Sequence, residues 1–257
     1  TYKVPDEITR IARGGEYDQF DLNAFFSTTG KKKQAQFKYK EYVQKWLDLI
    51  RGSYKVQAAD NLKLGREKPP LPFSDISLLS TLTHTLWFLP SVDACHAMNN
   101  LLAERQNTFY HDYKVIVCAG VEAGTGLDAL PPVRDAMGDP LNSKTITLTC
   151  GKLTTGVTVR PWGGIFMLRN LRSPETYFQA AFRVQSPWEV DVEYDGNAVR
   201  REIMKEQVYV FDFALDRALS MVSEYSTKLA TSGENPEKVV SDFIKFLPVL
   251  AYDGAVM

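Results

Sequence analysis

Cysteine and histidine are scarce in this sequence, with three residues of each type among 257. The six residues are Cys95, Cys118, Cys150, His84, His96 and His111. The cysteines are odd in number and far apart, so the sequence predicts neither a disulfide framework nor paired metal ligands. The histidines show no ligand spacing either, and we predict no bound metal. Cysteine use of this kind is typical of a reducing compartment, and we expect a cytoplasmic protein.

Long apolar runs are also missing, because no stretch reaches the roughly 18 to 20 residues that a membrane span requires. The N-terminus carries no signal-peptide pattern, and we expect a soluble protein without a membrane partner. Neither sign of charge dominates, since 30 Lys and Arg balance 31 Asp and Glu to a formal charge of -1. Any contact with nucleic acid must therefore depend on local positive charge.

The chain begins at Thr1 rather than at a methionine, and its last segment, 246–257, ends abruptly after an apolar run. We interpret the whole chain as a fragment of a longer protein. Its 44% hydrophobic residues are enough to bury a core. We predict three parts: a helical lead-in and linker at 1–80, an α/β domain at 81–212, and C-terminal helices at 213–257.

Before residue 80, one segment has a clear helical pattern, because apolar residues recur at helical spacing across 31–50. Gly52 supplies a natural stop, and the proline-containing segment 57–73 is predicted to be a linker. From residue 84 onward, short apolar segments alternate with helical patterns. This alternation predicts an α/β fold, a parallel sheet with helices on both faces.

The predicted strands are 84–89, 114–119, 144–149, 164–168 and 207–211. The unbroken apolar run at 114–119 predicts a strand that is buried on both faces. The predicted helices are 91–103, 127–137, 174–184, 215–229 and 236–247. Ser91 supplies a helix cap, and Ser173 followed by Pro174 is a strong helix start.

Parallel sheets carry their working residues on loops at the carboxyl ends of strands. One such loop leads into the helix capped by Ser91, where free amides can bind a phosphate, although an ordinary turn explains it too. Another, 150–159, holds two glycines, Lys152 and three threonines, groups that can line a phosphate. A plain polar turn at Gly156 is the alternative interpretation.

The helix predicted after Pro174 carries Gln179 and Arg183, which share one face at i, i+4 spacing. A rigidly held arginine can present its planar guanidinium to a γ-phosphate and stabilise the charge that grows during transfer. A surface ion pair is the alternative role for Arg183.

Taken in order, these segments resemble motifs four, five and six of superfamily-two helicases over 85–188. Segments 148–159 and 173–188 are most similar to the motor subunits of type I and type III restriction enzymes. The resemblance implies a second RecA-like lobe, whose partners are DNA, the first RecA-like lobe and nuclease or methyltransferase domains. It also implies ATP with Mg²⁺, bound mainly by the first lobe.

The resemblance implies roles for individual residues. Gln179 and Arg183 would face the ATP, with Arg183 as an arginine finger, and Gly156 and Thr158 would complete the nucleotide contact. The residues implied to contact DNA are Ser91, Lys152, Thr154 and Thr155.

The chain departs from the family pattern at three positions. Phe182 replaces a glycine, Ser186 stands where a second arginine belongs, and Thr158 replaces an aspartate. Nearby arginines that could serve instead are Arg160, Arg169 and Arg172.

Two other functions remain open. A self-contained α/β enzyme could use the loop at 121–126, with Glu122 as an acid or base. An interaction module could dock through the helix predicted at 31–50, where the run Lys31 to Lys33 is either a solvated charge run or a contact for DNA. No Walker A string occurs in the chain, so we expect no ATP hydrolysis from it alone.

Overall fold

The computed structural model describes residues 20–52, 72–121, 124, 126–194 and 198–229, together with 235, 238, 239 and 241. Its strands are β1 (Thr28–Thr29), β2 (Gln36–Phe37), β3 (His84–Phe88), β4 (Lys114–Cys118), β5 (Thr145–Thr149), β6 (Gly164–Met167), β7 (Glu189–Tyr194), β8 (Ala198–Ile203) and β9 (Tyr209–Asp212). Its α-helices are α1 (Leu22–Phe25), α2 (Lys40–Ile50), α3 (Ile76–Thr81), α4 (Val92–Leu102), α5 (Pro131–Met137), α6 (Pro174–Ala181) and α7 (Leu215–Leu229).

A five-stranded parallel sheet in the order β4-β5-β3-β6-β9 forms the centre of the protein. Strands β3, β5 and β6 are buried along their whole length. Strand β4 lies at one edge, where Lys114 is exposed and the next three residues are half-buried. Both faces of β4 pack against the hydrophobic clusters, as predicted for 114–119, but the burial is only partial because an edge strand has a neighbouring strand on one side only.

The sheet separates two hydrophobic clusters. Trp87 and Phe166 point into the first cluster, whereas their neighbours Phe88 and Ile165 point into the second, as the pleat of a strand requires. The first cluster includes α2 and α4, and the second includes α5, α6 and α7. The predicted α/β fold with helices on both faces is confirmed.

The segment before the sheet contributes directly to the first cluster. Trp46 from α2 lies edge-on to Trp87 and Phe213, with ring centroids 5.8 and 5.2 Å away. Phe73 stacks on Phe166 at 5.5 Å. Residues 22–50 thus cover one face of the sheet.

Local signals explain where two helices begin. The Ser91 hydroxyl accepts a hydrogen bond from the Ala94 amide, and the Ser173 hydroxyl accepts one from the Thr176 amide. Pro174 occupies the first turn of α6, where its missing N–H costs nothing. Both predicted helix starts are confirmed.

The predicted helix at 31–50 is wrong in its first part. Residues 32–34 form a short 3₁₀ turn, β1 pairs with β2, and α2 starts only at Lys40. Lys32 has a φ of 50°, which an α-helix cannot accommodate.

The antiparallel hairpin of β7 and β8 was not predicted. The linker at 57–73 lies outside the described residues except for its last two positions, and most of the predicted helix at 236–247 lies outside them as well. Within the described residues, no helix combines the length and apolar character that a transmembrane span requires.

Candidate functional site

The carboxyl ends of the central strands converge on one edge of the sheet. The Leu89 amide donates to the Thr149 carbonyl at 2.8 Å, and the Leu168 amide donates to the Phe88 carbonyl at 2.9 Å. Strands β3 and β6 are neighbours in the sheet. The connection from β3 runs to β4 at one side of the sheet, whereas the connection from β6 runs to β9 at the other side. Neighbouring strands with diverging connections form the crevice in which open α/β sheets bind ligands.

The loop after β5 is folded tightly on itself. The Thr149 hydroxyl donates to the Lys152 carbonyl at 2.5 Å, and the Thr154 hydroxyl donates to the Gly151 carbonyl at 2.7 Å. Leu153 adopts a φ of 64°, a strained conformation for a non-glycine residue, and its side chain is buried. This loop therefore has a fixed shape before any ligand arrives.

The loop residues implied to contact ligands differ in their exposure. Thr155, Gly156 and Thr158 are exposed, and Gly156 has a φ of 68° with open space around it. Thr154 is buried and its hydroxyl already donates within the loop. The Lys152 ammonium donates to the Gly124 carbonyl in the loop after β4. The exposed part of the loop is thus the part that a phosphate can reach.

The structure brings Arg183 against this loop. Its Nη1 donates to the Val157 carbonyl at 2.7 Å, and its Nε donates to the Gln179 carbonyl at 3.0 Å. Nη2 makes no hydrogen bond to any described residue, and the Gln179 side chain is exposed. Two predicted site segments that lie far apart in sequence therefore meet beside Gly156.

Arg169 occupies the same edge, at the carboxyl end of β6. Its guanidinium lies 5.0 Å from the centre of the Phe88 ring, and its Nη1 donates to the Cys150 carbonyl at 2.8 Å. Its Nε is buried and makes no hydrogen bond within the described residues. Arg160 and Arg172, the other two alternatives, are exposed.

Two thiols lie at the same edge. The Cys95 thiol on α4 donates to the Cys150 sulfur. This hydrogen bond, the Arg169 charge and the Gly120 amide together lower the pKa of Cys150 to about 7. Burial raises the pKa of Cys118 to about 11. Sequence spacing did not predict this pair, because Cys95 and Cys150 come together only through the packing of α4 beside β5.

Ser91 lies at this edge as well, at the start of α4, and its hydroxyl caps the helix. The adjoining contact of Asn170 with the N-terminal segment could not be predicted from the sequence. Its side chain donates to the Asp21 carboxylate at 3.0 Å and accepts from the Leu22 amide at 3.2 Å. The segment before β1 is thereby joined to the loop after β6.

The alternative site at 121–126 falls partly outside the described residues, and Glu122 is among those left out. What is described is a turn in which the Gly124 amide donates to the Val121 carbonyl at 3.2 Å. The self-contained enzyme therefore stays a prediction.

Comparison with known proteins finds a relative among restriction-modification proteins. No protein-family profile matches the chain. A Mycoplasma pneumoniae protein is 33% identical to it over 173 residues, or 66% of this chain. That protein is described as the C-terminus of a candidate type II restriction enzyme and methyltransferase. The chain is similar to part of a restriction-modification protein. The matched region spans 23% of the relative's length.

Proposed function

We propose that the chain is the second RecA-like lobe of an ATP-dependent DNA helicase or translocase in a restriction-modification system. Its partners are DNA, the first RecA-like lobe of the same polypeptide, and the nuclease or methyltransferase activity that the relative's description names. The order of motif-like segments over 85–188 supports the motor assignment. The similarity to a restriction-modification protein supports the biological setting.

The observation that carries this proposal is the contact between Arg183 and the loop after β5. The two hydrogen bonds to the Val157 and Gln179 carbonyls hold the guanidinium in one orientation, and Nη2 is left to meet a ligand. A side chain fixed in this way loses little entropy on binding, which is what a site for a transient charge needs. Exposed Gln179 and open Gly156 flank it.

These residues fit one side of a split nucleotide site. ATP with Mg²⁺, bound mainly by the first lobe, would supply the phosphoryl group whose transfer drives movement. When the lobes close, Arg183 crosses the cleft and its positive charge stabilises the charge that develops on the γ-phosphate oxygens. Gln179 lies in the last turn of α6, whereas Arg183 lies in the 3₁₀ turn 182–184 that follows it and not on the predicted helix face. The Arg183 Nε bond to the Gln179 carbonyl keeps the two residues together, and Gln179 would contact the nucleotide beside Arg183.

The family's second arginine is replaced by half-buried Ser186. Arg169 supplies a second guanidinium at this edge, although it comes from the loop after β6 rather than from α6. Thr155 and Thr158 are the threonines of the loop that can reach phosphates, while Thr154 and Lys152 stabilise its shape.

The test is DNA-stimulated ATP hydrolysis by the parent polypeptide that contains this chain. Arg183→Ala is expected to lower kcat by about a thousandfold or more, the range seen when arginine fingers are removed, with little change in KM. Arg183→Lys keeps the charge but loses the planar fork, and it should recover only part of the rate.

Arg200→Ala is the matched control, because Arg200 is exposed on β8 and belongs neither to α6 nor to the loop after β5. A thermal melt of each variant separates this role from a purely structural one. Loss of the Arg183 hydrogen bonds alone would cost about 1 kcal/mol each and leave kcat unchanged well below the melting temperature. An Arg183→Ala enzyme with normal kcat would refute the proposal.

A further inference from the structure

The loop between β1 and β2 carries three consecutive lysines, Lys31, Lys32 and Lys33, all of them exposed. None of the described carboxylates forms an ion pair with Lys31 or Lys33. Lys40, nearby on α2, is instead paired with Glu104 at 2.6 Å. In a chain with a formal charge of -1, this loop is a local concentration of positive charge.

The basic loop, defined as residues 31–33, is held firmly on α4. The Lys32 amide donates to the Asp93 carboxylate at 2.7 Å. The Asn100 side-chain amide donates to the Lys33 and Ala35 carbonyls at 2.9 and 3.0 Å. These bonds fix the backbone of the loop, while the side chains of Lys31 and Lys33 are exposed to solvent.

The position of the basic loop follows from that attachment. Asp93 lies in the first turn of α4, directly after the Ser91 cap, so it belongs to the carboxyl edge of the sheet. The contact of Asn170 with Asp21 holds the preceding segment at the same edge. The basic loop therefore starts beside Asp93, on the side of the molecule that carries the loop after β5, and runs from there along α4 towards Asn100.

The backbone is strained both in the basic loop and in the loop after β5. Among the described non-glycine residues, Lys32 and Leu153 are those with positive φ, at 50° and 64°. Conformations of this kind cost on the order of 1 to 3 kcal/mol and persist where the surrounding structure enforces them, most often at binding sites. One strained residue lies in the basic loop and the other lies in the loop after β5.

We infer that the basic loop is a second contact for the DNA backbone, which lies across this edge between residues 31–33 and the loop after β5. The inference rests on the proposed function and names a surface that the helicase-like motifs do not include. Ammonium groups on a fixed backbone neutralise phosphates without reading bases, so the contact should be independent of DNA sequence.

The experiment measures DNA affinity of the full 257-residue chain against salt concentration, by fluorescence anisotropy with labelled duplex and single-stranded DNA. Each phosphate contact contributes about 0.9 to the slope of log affinity against log salt. The double variant Lys31→Gln with Lys33→Gln should therefore reduce the slope by about 2 and weaken binding roughly tenfold or more near physiological salt. Lys32 is left unchanged so that the turn keeps its shape.

The matched control is Lys114→Gln with Lys144→Gln, which removes the same charge from the amino ends of β4 and β5, at the opposite edge. This variant should keep the slope of the unmodified chain. Melting curves verify that both variants fold.

An unchanged slope for the Lys31 and Lys33 variant overturns the inference, as does an equal loss in the control. Absence of salt-dependent DNA binding by the unmodified chain also overturns it. None of these results bears on the Arg183 rate measurement, so the failure of this inference can be told apart from failure of the proposed function.

Discussion

Cys150 lies directly after β5 and is surrounded by groups that favour its thiolate. The hydrogen bond from the Cys95 thiol is the largest influence, and it outweighs burial, which acts in the opposite direction. The pKa of Cys150 is lowered to about 7, whereas that of Cys95 is raised by the same interaction. The carboxyl edge of the sheet therefore stabilises the negative charge of the Cys150 thiolate.

A direct consequence is that Cys150 should react with iodoacetamide at neutral pH. Its alkylation rate should rise with pH and reach half its maximum near pH 7, because the deprotonated form predominates above the pKa. Cys118, with a pKa of about 11 and a buried side chain, should stay unmodified over the same range. Peptide mass spectrometry after timed labelling measures both rates.

The role of Cys95 is isolated by a pair of substitutions. Cys95→Ala removes the donor and should move the half-point for Cys150 upward, whereas Cys95→Ser keeps a donor and should leave it near 7. If the half-point is the same in Cys95→Ala as in the unmodified chain, the assigned hydrogen bond does not control the pKa.

Among the elements, the β7–β8 hairpin is attached to the α/β body through Lys205. The Lys205 ammonium donates to the Trp162 carbonyl and to the Val184 carbonyl, each at 2.7 Å. Burial lowers the pKa of Lys205 to about 8. This side chain also fixes the backbone immediately after Arg183, so it supports the orientation of the proposed site.

Replacing Lys205 with methionine keeps the aliphatic stem but leaves both carbonyls without their donor. The free energy of unfolding should fall by about 1 to 3 kcal/mol, the cost of unsatisfied buried polar groups. Chemical denaturation of the chain measures this change, with Lys114→Met at exposed Lys114 as the control. Equal stability of the two variants would show that the Lys205 contacts do not hold the hairpin.

The elements also differ in how well the sequence predicts them. The five sheet strands begin and end within two residues of prediction because unbroken apolar segments bounded by polar loops have few other structures available. The 31–37 segment was predicted wrongly because its apolar spacing merges with that of α2. It is held as a hairpin by the pairing of β1 with β2 and by the Asp93 and Asn100 contacts. The alternation of Glu-Val-Asp-Val-Glu-Tyr at 189–194 was a signal for β7 that went unused.

At the scale of the whole molecule, the order of segments along the chain was enough to select Gln179, Arg183 and the loop at 150–159 as candidates. Their meeting at the Val157 carbonyl could not be predicted, because it depends on how the turn after α6 lies against the loop after β5. The run from Lys31 to Lys33 could be selected from the sequence as a candidate DNA contact. Its place in the fold could not, since the sequence gives no sign that residues 20–37 fold back onto α4 and the loop after β6.

The central claim is that Arg183 completes an ATP site formed with another lobe. The most direct test is a structure of the parent polypeptide bound to DNA and a non-hydrolysable ATP analogue, determined by electron cryomicroscopy. The account predicts a guanidinium nitrogen of Arg183 about 2.7 to 2.9 Å from a γ-phosphate oxygen, the length of a charge-assisted hydrogen bond. The account is contradicted if the γ-phosphate contacts another arginine, or no residue of this chain, while Arg183 keeps only its hydrogen bonds to the Val157 and Gln179 carbonyls.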